Sequence, residues 1–183
     1  VAVFAYEVLQ KALAAGSDSL DSLVAAAVAA GAQKGVAVTN EIVEIRDGGS
    51  AFIAFRAMVN QVNFGLIEQG VQIFDPANTY IAPDAEIATG ATILPGCHIR
   101  SGCKVGAGAV IGPNSILEKA EIGAGTTVNN SQVYESTVGA HATVGPFAYI
   151  RPQCVVGDHC RIGDFVELKK SSIGNGTKVS HLT

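Results

Sequence analysis

The sequence predicts a mainly β protein, a left-handed parallel β-helix of about six coils preceded by a small α/β segment. Two observations carry that prediction. From Ile81 to Val179 an aliphatic residue recurs at eighteen positions, in thirteen steps of six residues and four of five. A small residue commonly follows four places after the aliphatic one, as at Ala85, Ala91, Cys97, Cys103, Ala109, Ser115, Ala142 and Ala148. A period of six belongs neither to an isolated strand nor to a helix, and a fixed repeat decides the architecture before local propensity does.

The segment before the repeats reads as mixed α/β. "VAVFAY" (1–6) has the composition of a strand. Leu20, Leu23, Val24 and Val28 fall at helical spacing, with Gly31 placed to close the helix as its C-cap. "GVAVTNEIVEI" (35–45) alternates like a strand and breaks at "RDGGS". Phe52, Phe55, Val59, Val62 and Leu66 mark one face of a last helix, ended by Gly70. Domains are therefore expected at 1–69 and 70–183.

Within the repeats each hexad supplies one short strand and one corner, and three hexads complete a coil. The aliphatic and the small residue point into a triangular prism. Gly, Asn or Asp is expected at corners that need unusual dihedrals. Coils stack at the inter-strand spacing of roughly 4.8 Å. A solenoid needs its ends covered, and the N-terminal segment can cover one of them.

Composition narrows the function. Hydrophobic residues make up 48% of the 183 residues and charged residues 15%, so the chain folds rather than staying disordered. The net charge is −4 with Lys and Arg scattered, which argues against nucleic acid or an anionic membrane as partner. The longest apolar run, "LVAAAVAAGA" (23–32), is too short and too rich in Ala to span a bilayer. No secretory signal is visible, and a start at Val1 suggests a piece of something longer. Cys97, Cys103, Cys154 and Cys160 all occupy the small inward position of their hexads, on faces badly placed for pairing. Buried thiols in a reducing, cytoplasmic setting follow.

Repeat arithmetic also pairs outward residues. Arg151 and Lys169 each follow the aliphatic residue of their hexad, at Ile150 and Leu168, eighteen residues and three hexads apart. They should stack one coil apart with their cations converging, an arrangement that repels unless an anion lies between. His141 and His159 are likewise eighteen apart and should stack. Two imidazoles could begin a zinc site of the β-helical carbonic-anhydrase kind, but zinc asks for three protein ligands. No metal ligand set is expected here. A non-catalytic trimerising scaffold is the other alternative.

Three stretches carry a more specific resemblance: "GVQIFDPANTYIAPDAEI" (70–87), "VGPFAYIRP" (144–152) and "IGDFVELKKSSIGNGTKVSHLT" (162–183). They resemble the bacterial bifunctional uridyltransferase/acetyltransferase family that makes UDP-N-acetylglucosamine, strongly over 70–183 and loosely before. The resemblance implies acetyl transfer from acetyl-CoA to glucosamine 1-phosphate, then uridylyl transfer from UTP with Mg²⁺ in a separate nucleotidyltransferase domain. It implies His181 as the general base, Arg151 and Lys169 as contacts to the sugar phosphate, and a homotrimer with active sites between subunits.

The nucleotidyltransferase machinery is not legible. "ALAAGSDS" (12–19) shares letters with that family's Gly-rich loop, yet it follows a helical stretch and has no Arg. "EIRDGG" (44–49) stands where a metal-binding Asn is expected. Residues 1–69 thus read as a degraded or divergent tail of that domain. Gln153 and Asp164 depart from the Gly and Asn usual in the family. The acetyl-CoA part of the family site would lie beyond Thr183, so little activity is expected of this chain alone.

Overall fold

The computed structural model describes residues 6–30 and 45–183. The strands expected over 1–6 and 35–45, and the capping role of Gly31, lie almost wholly outside the described residues; Tyr6 opens a helix. Two compact units divide the chain, Val1–Ser50 and Ala51–Thr183.

The first unit contains helices α1 (Tyr6–Ala14) and α2 (Leu20–Ala29), which pack on each other, and Ala12 and Ala27 are buried. Ser19 and Ser22 start α2 with reciprocal hydrogen bonds. The Ser22 N–H donates to Ser19 Oγ at 3.2 Å, and the Ser19 N–H to Ser22 Oγ at 3.0 Å. Leu20 and Val28 of the apolar stripe remain about half exposed. The periodicity is helical, but Ala27 is the residue of α2 that is buried.

The second unit is the solenoid. Helix α3 (Gly48–Glu68) leads into nineteen short strands among the described residues, arranged as three parallel sheets of seven, six and six strands. The first face runs from Gln72–Ile73 to Lys178–Val179, the second from Tyr80–Ile81 to Glu167–Leu168, and the third from Glu86–Ile87 to Ser172–Ile173. Each of the eighteen aliphatic positions is the inward residue of a strand. Register is kept throughout: Ile81 sits on Ile99, Ile99 on Leu117, Leu117 on Val133, Val133 on Ile150 and Ile150 on Leu168. The prism interior is one continuous aliphatic column, dry enough that Ile93, Ile111, Leu117, Val128 and Ile162 have no exposed surface.

The strand at Gln72–Ile73 was not legible in the repeat. It pairs with Thr92–Ile93. A 3-10 turn at Pro76–Asn78, started by Asp75, lengthens the next step to eight residues and hides the period. Helix α3 closes this end by burying Val59, Asn63 and Leu66. Asn63 is the unexpected member of that face. Its Nδ2 donates to the carbonyls of Pro76 at 2.9 Å and Thr79 at 2.8 Å, fixing the helix to the first coil. Phe52, at the N-terminal end of the expected apolar face, is exposed.

The corners depart from the expected composition. Left-handed backbone occurs at Gly, at Asn114 and Asn130, and equally at Lys119, Glu135, His141, Phe147, Gln153, His159, Phe165 and Lys170. Each such residue costs of order 1–2 kcal/mol, offset here by the hydrogen bonds and column packing that the corner permits. The four five-residue steps have corners shorter by one residue, centred on Lys119, Asn130, Glu135 and Lys170. Three of the four place Ser at the inward corner position. Ser131 Oγ donates to Asn129 O at 2.6 Å and accepts from the Ala148 N–H at 3.0 Å. Ser136 Oγ donates to Arg151 O at 2.8 Å and accepts from the Cys154 N–H at 2.9 Å. Thr126, in a six-residue step, bonds in the same way: its Oγ1 accepts from the Ala142 N–H at 3.0 Å and donates to Gly139 O at 2.6 Å.

Two outcomes follow. Replacing Ser131 by Ala leaves a buried N–H and a carbonyl without partners, so denaturant unfolding should show a loss of about 1–3 kcal/mol. The four cysteines are free and buried, and burial pushes the Cys97 and Cys103 thiols up. A thiol-specific disulfide reagent should label none of the four in the folded protein and all of them after denaturation.

Candidate active site

Two of the three candidate residues, Arg151 and Lys169, gather at the corner that follows the second face. Ile150 and Leu168 are register partners in adjacent strands, so Arg151 and Lys169 are equivalent residues one coil apart, as the eighteen-residue spacing predicts. Lys169 is exposed, and Arg151 is partly covered. The Arg151 guanidinium is already engaged: its Nη1 donates to Glu167 Oε1 at 2.7 Å. This hydrogen bond holds the Arg151 pKa above its ordinary value.

The carboxylate changes the electrostatics foreseen from the sequence. Two converging cations would demand an anion, whereas Glu167 supplies part of the counter-charge from the chain itself. It was findable by the same arithmetic, since Glu167 is the register partner of Tyr149. Its single bond leaves most of the five guanidinium donors of Arg151 available. Below Arg151 in the same column stands Tyr134, and the Tyr149 and Tyr134 rings meet edge to face at 5.8 Å. The Arg151 guanidinium carbon lies 5.9 Å from the centre of the Tyr149 ring.

His181 lies elsewhere. It follows the first-face strand Lys178–Val179, at the corner between the first and second faces, and is exposed. The Leu182 N–H donates to Asp164 O at 3.2 Å, and the Glu167 N–H to Thr183 O at 2.9 Å, so this segment begins another strand-like layer. Arg151 and Lys169 occupy the corner between the second and third faces. A single chain therefore unites the two cations but not the histidine. Gln153 is a left-handed corner residue beside Arg151, which explains why Gly suits that position. Asp164 is exposed next to the His181 corner, not beside the two cations.

His141 and His159 stack as foreseen, with ring centres 5.2 Å apart and planes 15° from parallel. They remain a pair. Among the described residues no three His, Cys, Asp or Glu side chains could hold a metal ion together. In the first unit, Gly16 sits just after the C-terminus of α1 with its N–H donated to Leu13 O. A helix C-terminus repels phosphate, so "ALAAGSDS" is no phosphate loop. Asp47, near the place expected for a metal ligand, instead accepts from the Ser50 N–H at 2.7 Å and starts α3. Among the described residues no helix is long and apolar enough to cross a membrane.

Comparisons with known proteins agree with this geometry. Residues 84–119 and 135–170 match the family model described as bacterial transferase hexapeptide, six repeats. Over 126 residues, 69% of this chain, the sequence is 47% identical to the bifunctional protein GlmU of Clostridium perfringens. Over 144 residues, 79% of the chain, it is 40% identical to the bifunctional protein GlmU of Clostridium novyi. The matched stretches are 28% and 32% of those relatives, so the chain corresponds to less than a third of their length. Among solved structures, the acetyltransferase domain of PglB from Neisseria gonorrhoeae in complex with acetyl coenzyme A aligns over 66% of this chain and 63% of that one. Identity there is 18% and the TM-score 0.37, too loose to bear on the site.

The Arg151–Glu167 pair is exposed, so solvent screens it and its own contribution to stability is small. Glu167→Ala removes both the charge and the acceptor, frees the guanidinium, and should tighten inorganic phosphate binding by no more than a few-fold. Isothermal titration calorimetry of the two proteins measures this; weaker binding in the variant would show that Glu167 assists the anion rather than competing with it.

Proposed function

We propose that the solenoid of this chain, similar in sequence over most of its length to the bifunctional proteins GlmU, serves acetyl transfer from acetyl-CoA to the amine of glucosamine 1-phosphate. The observation that carries the reading is the stacking of Arg151 and Lys169 on register-paired strands, in stretches that resemble the family's sugar-phosphate motifs. Arg151 offers a planar fork and Lys169 a point charge to one phosphate. Glu167 takes one donor of the fork and leaves the others for the phosphate.

The amine must be neutral to attack the thioester carbonyl. His181 takes the amine's proton as the new C–N bond forms, and imidazole is the side chain that ordinarily titrates in the range this requires. The C–S bond breaks, and the proton passes on to the departing CoA thiolate. Because His181 and the cation pair lie at different corners of one prism, a second copy packed alongside would complete the site. A homotrimer provides that arrangement symmetrically.

Residues 1–69 then represent the tail of a nucleotidyltransferase domain and 70–183 the first coils of the acetyltransferase β-helix, working in the cytoplasm. UTP and Mg²⁺ belong to the other reaction of such an enzyme. The described residues do not fit Mg²⁺: Asp47 is occupied as a helix cap and no three metal-ligating side chains converge.

The test is binding first, turnover second. Calorimetric titration with glucosamine 1-phosphate should show Arg151→Ala and Lys169→Ala each weakening affinity about tenfold or more, with unchanged thermal stability. Unaltered binding in both variants would sink the reading. With acetyl-CoA added, the chain alone in dilute solution should turn over little or not at all, and any activity should rise with protein concentration and vanish in His181→Ala.

A further inference from the structure

Tyr149 has no evident structural task. It points outward from the strand Tyr149–Ile150 between Gln132 below and Glu167 above, so it is not part of a continued aromatic column. It is 39% exposed. Tyr134 nevertheless fixes its orientation, meeting it at 86° between ring planes. The Tyr134 hydroxyl is itself anchored on Gln132 Oε1 at 3.2 Å. The Arg151 guanidinium carbon stands over the Tyr149 ring, 5.9 Å from its centre, and the part of the ring that its neighbours leave uncovered meets solvent.

We propose that Tyr149, steadied by Tyr134, is the shelf on which the sugar ring of a hexose phosphate lies while Arg151 and Lys169 hold its phosphate. The inference rests on the anion-binding reading of that pair and adds what gives the site its preference for a sugar. Two cations alone take any small anion of suitable charge. A pyranose presents C–H bonds on its faces and hydroxyls around its rim, so it gains from an aromatic plane where a bare phosphate cannot. The rim finds polar partners close by: the exposed carboxylate of Glu167 has a free oxygen, and the Gln132 amide stands beside Tyr134. A flat apolar surface with a few convergent polar groups is how ligand sites combine affinity with orientation.

The plainer alternative is that Tyr149 only shields the Arg151 side chain through a cation–π contact. The two accounts separate by ligand. Titration calorimetry of the chain should find glucosamine 1-phosphate binding more tightly than inorganic phosphate. Tyr149→Ala should weaken the sugar phosphate about 3- to 10-fold and leave inorganic phosphate unchanged, while Tyr149→Phe keeps both. Circular dichroism melts check that the surface change leaves the fold intact. Equal weakening of both ligands would assign Tyr149 to Arg151 alone and overturn the shelf. So would an undiminished sugar-phosphate affinity in Tyr149→Ala, or equal wild-type affinity for the two ligands with phosphate binding preserved. If the wild-type chain binds neither, the anion reading itself falls and the shelf with it.

Discussion

Everything in the solenoid depends on in-register parallel stacking of an aliphatic column. Once Ile150 sits on Val133 and Leu168 on Ile150, the residues on either side of them are also forced into columns. Burial drives the inner alignment, at about 25 cal/mol per Å² of apolar surface removed from water. The outward columns come as a by-product, and chemistry is written on them. Arg151 one coil above Tyr134, His159 above His141 and Phe165 above Phe147 are three instances of one geometric rule.

The same rule explains what was legible beforehand. Ile, Val and Leu at six-residue steps specify the prism because no other architecture buries that period, and the four cysteines fall inside it for the same reason. Arg151 and Lys169 could be placed by counting. Glu167 is not evident from the cation spacing, which says nothing of strand neighbours, although counting eighteen from Tyr149 reaches it. Phe147, Lys119 and Glu135 as left-handed corner residues were not legible, since local propensity disfavours them and only the neighbouring coils compensate. Asn63 escaped because a polar residue on a helical stripe normally marks the solvent side. Here it bonds two carbonyls of the first coil.

The candidate site shows how a solenoid divides labour. A prism offers three corners, and adjacent residues in space come from the same corner of successive coils. Groups from different corners are kept apart by the full width of the column. The two cations share a corner and so can share one phosphate, whereas His181 stands at another. On so rigid an architecture, a site that draws on two corners would need a second prism alongside, which is what the proposed homotrimer supplies.

Register is preserved although the coils differ in length: Ile99 to Leu117 spans eighteen residues, Leu117 to Val133 sixteen, and Val133 to Ile150 seventeen. The corners absorb these differences, which gives insertions and deletions an uneven tolerance. A single residue lost at a corner can be taken up locally. One whole hexad lost between Ile150 and Leu168 would turn every later residue by one face and carry Lys169 away from Arg151. Three hexads lost together would merely shorten the column by a coil and leave each face with its own residues. Such a chain can vary its length only in quanta of one full turn if the sites along its edges are to survive.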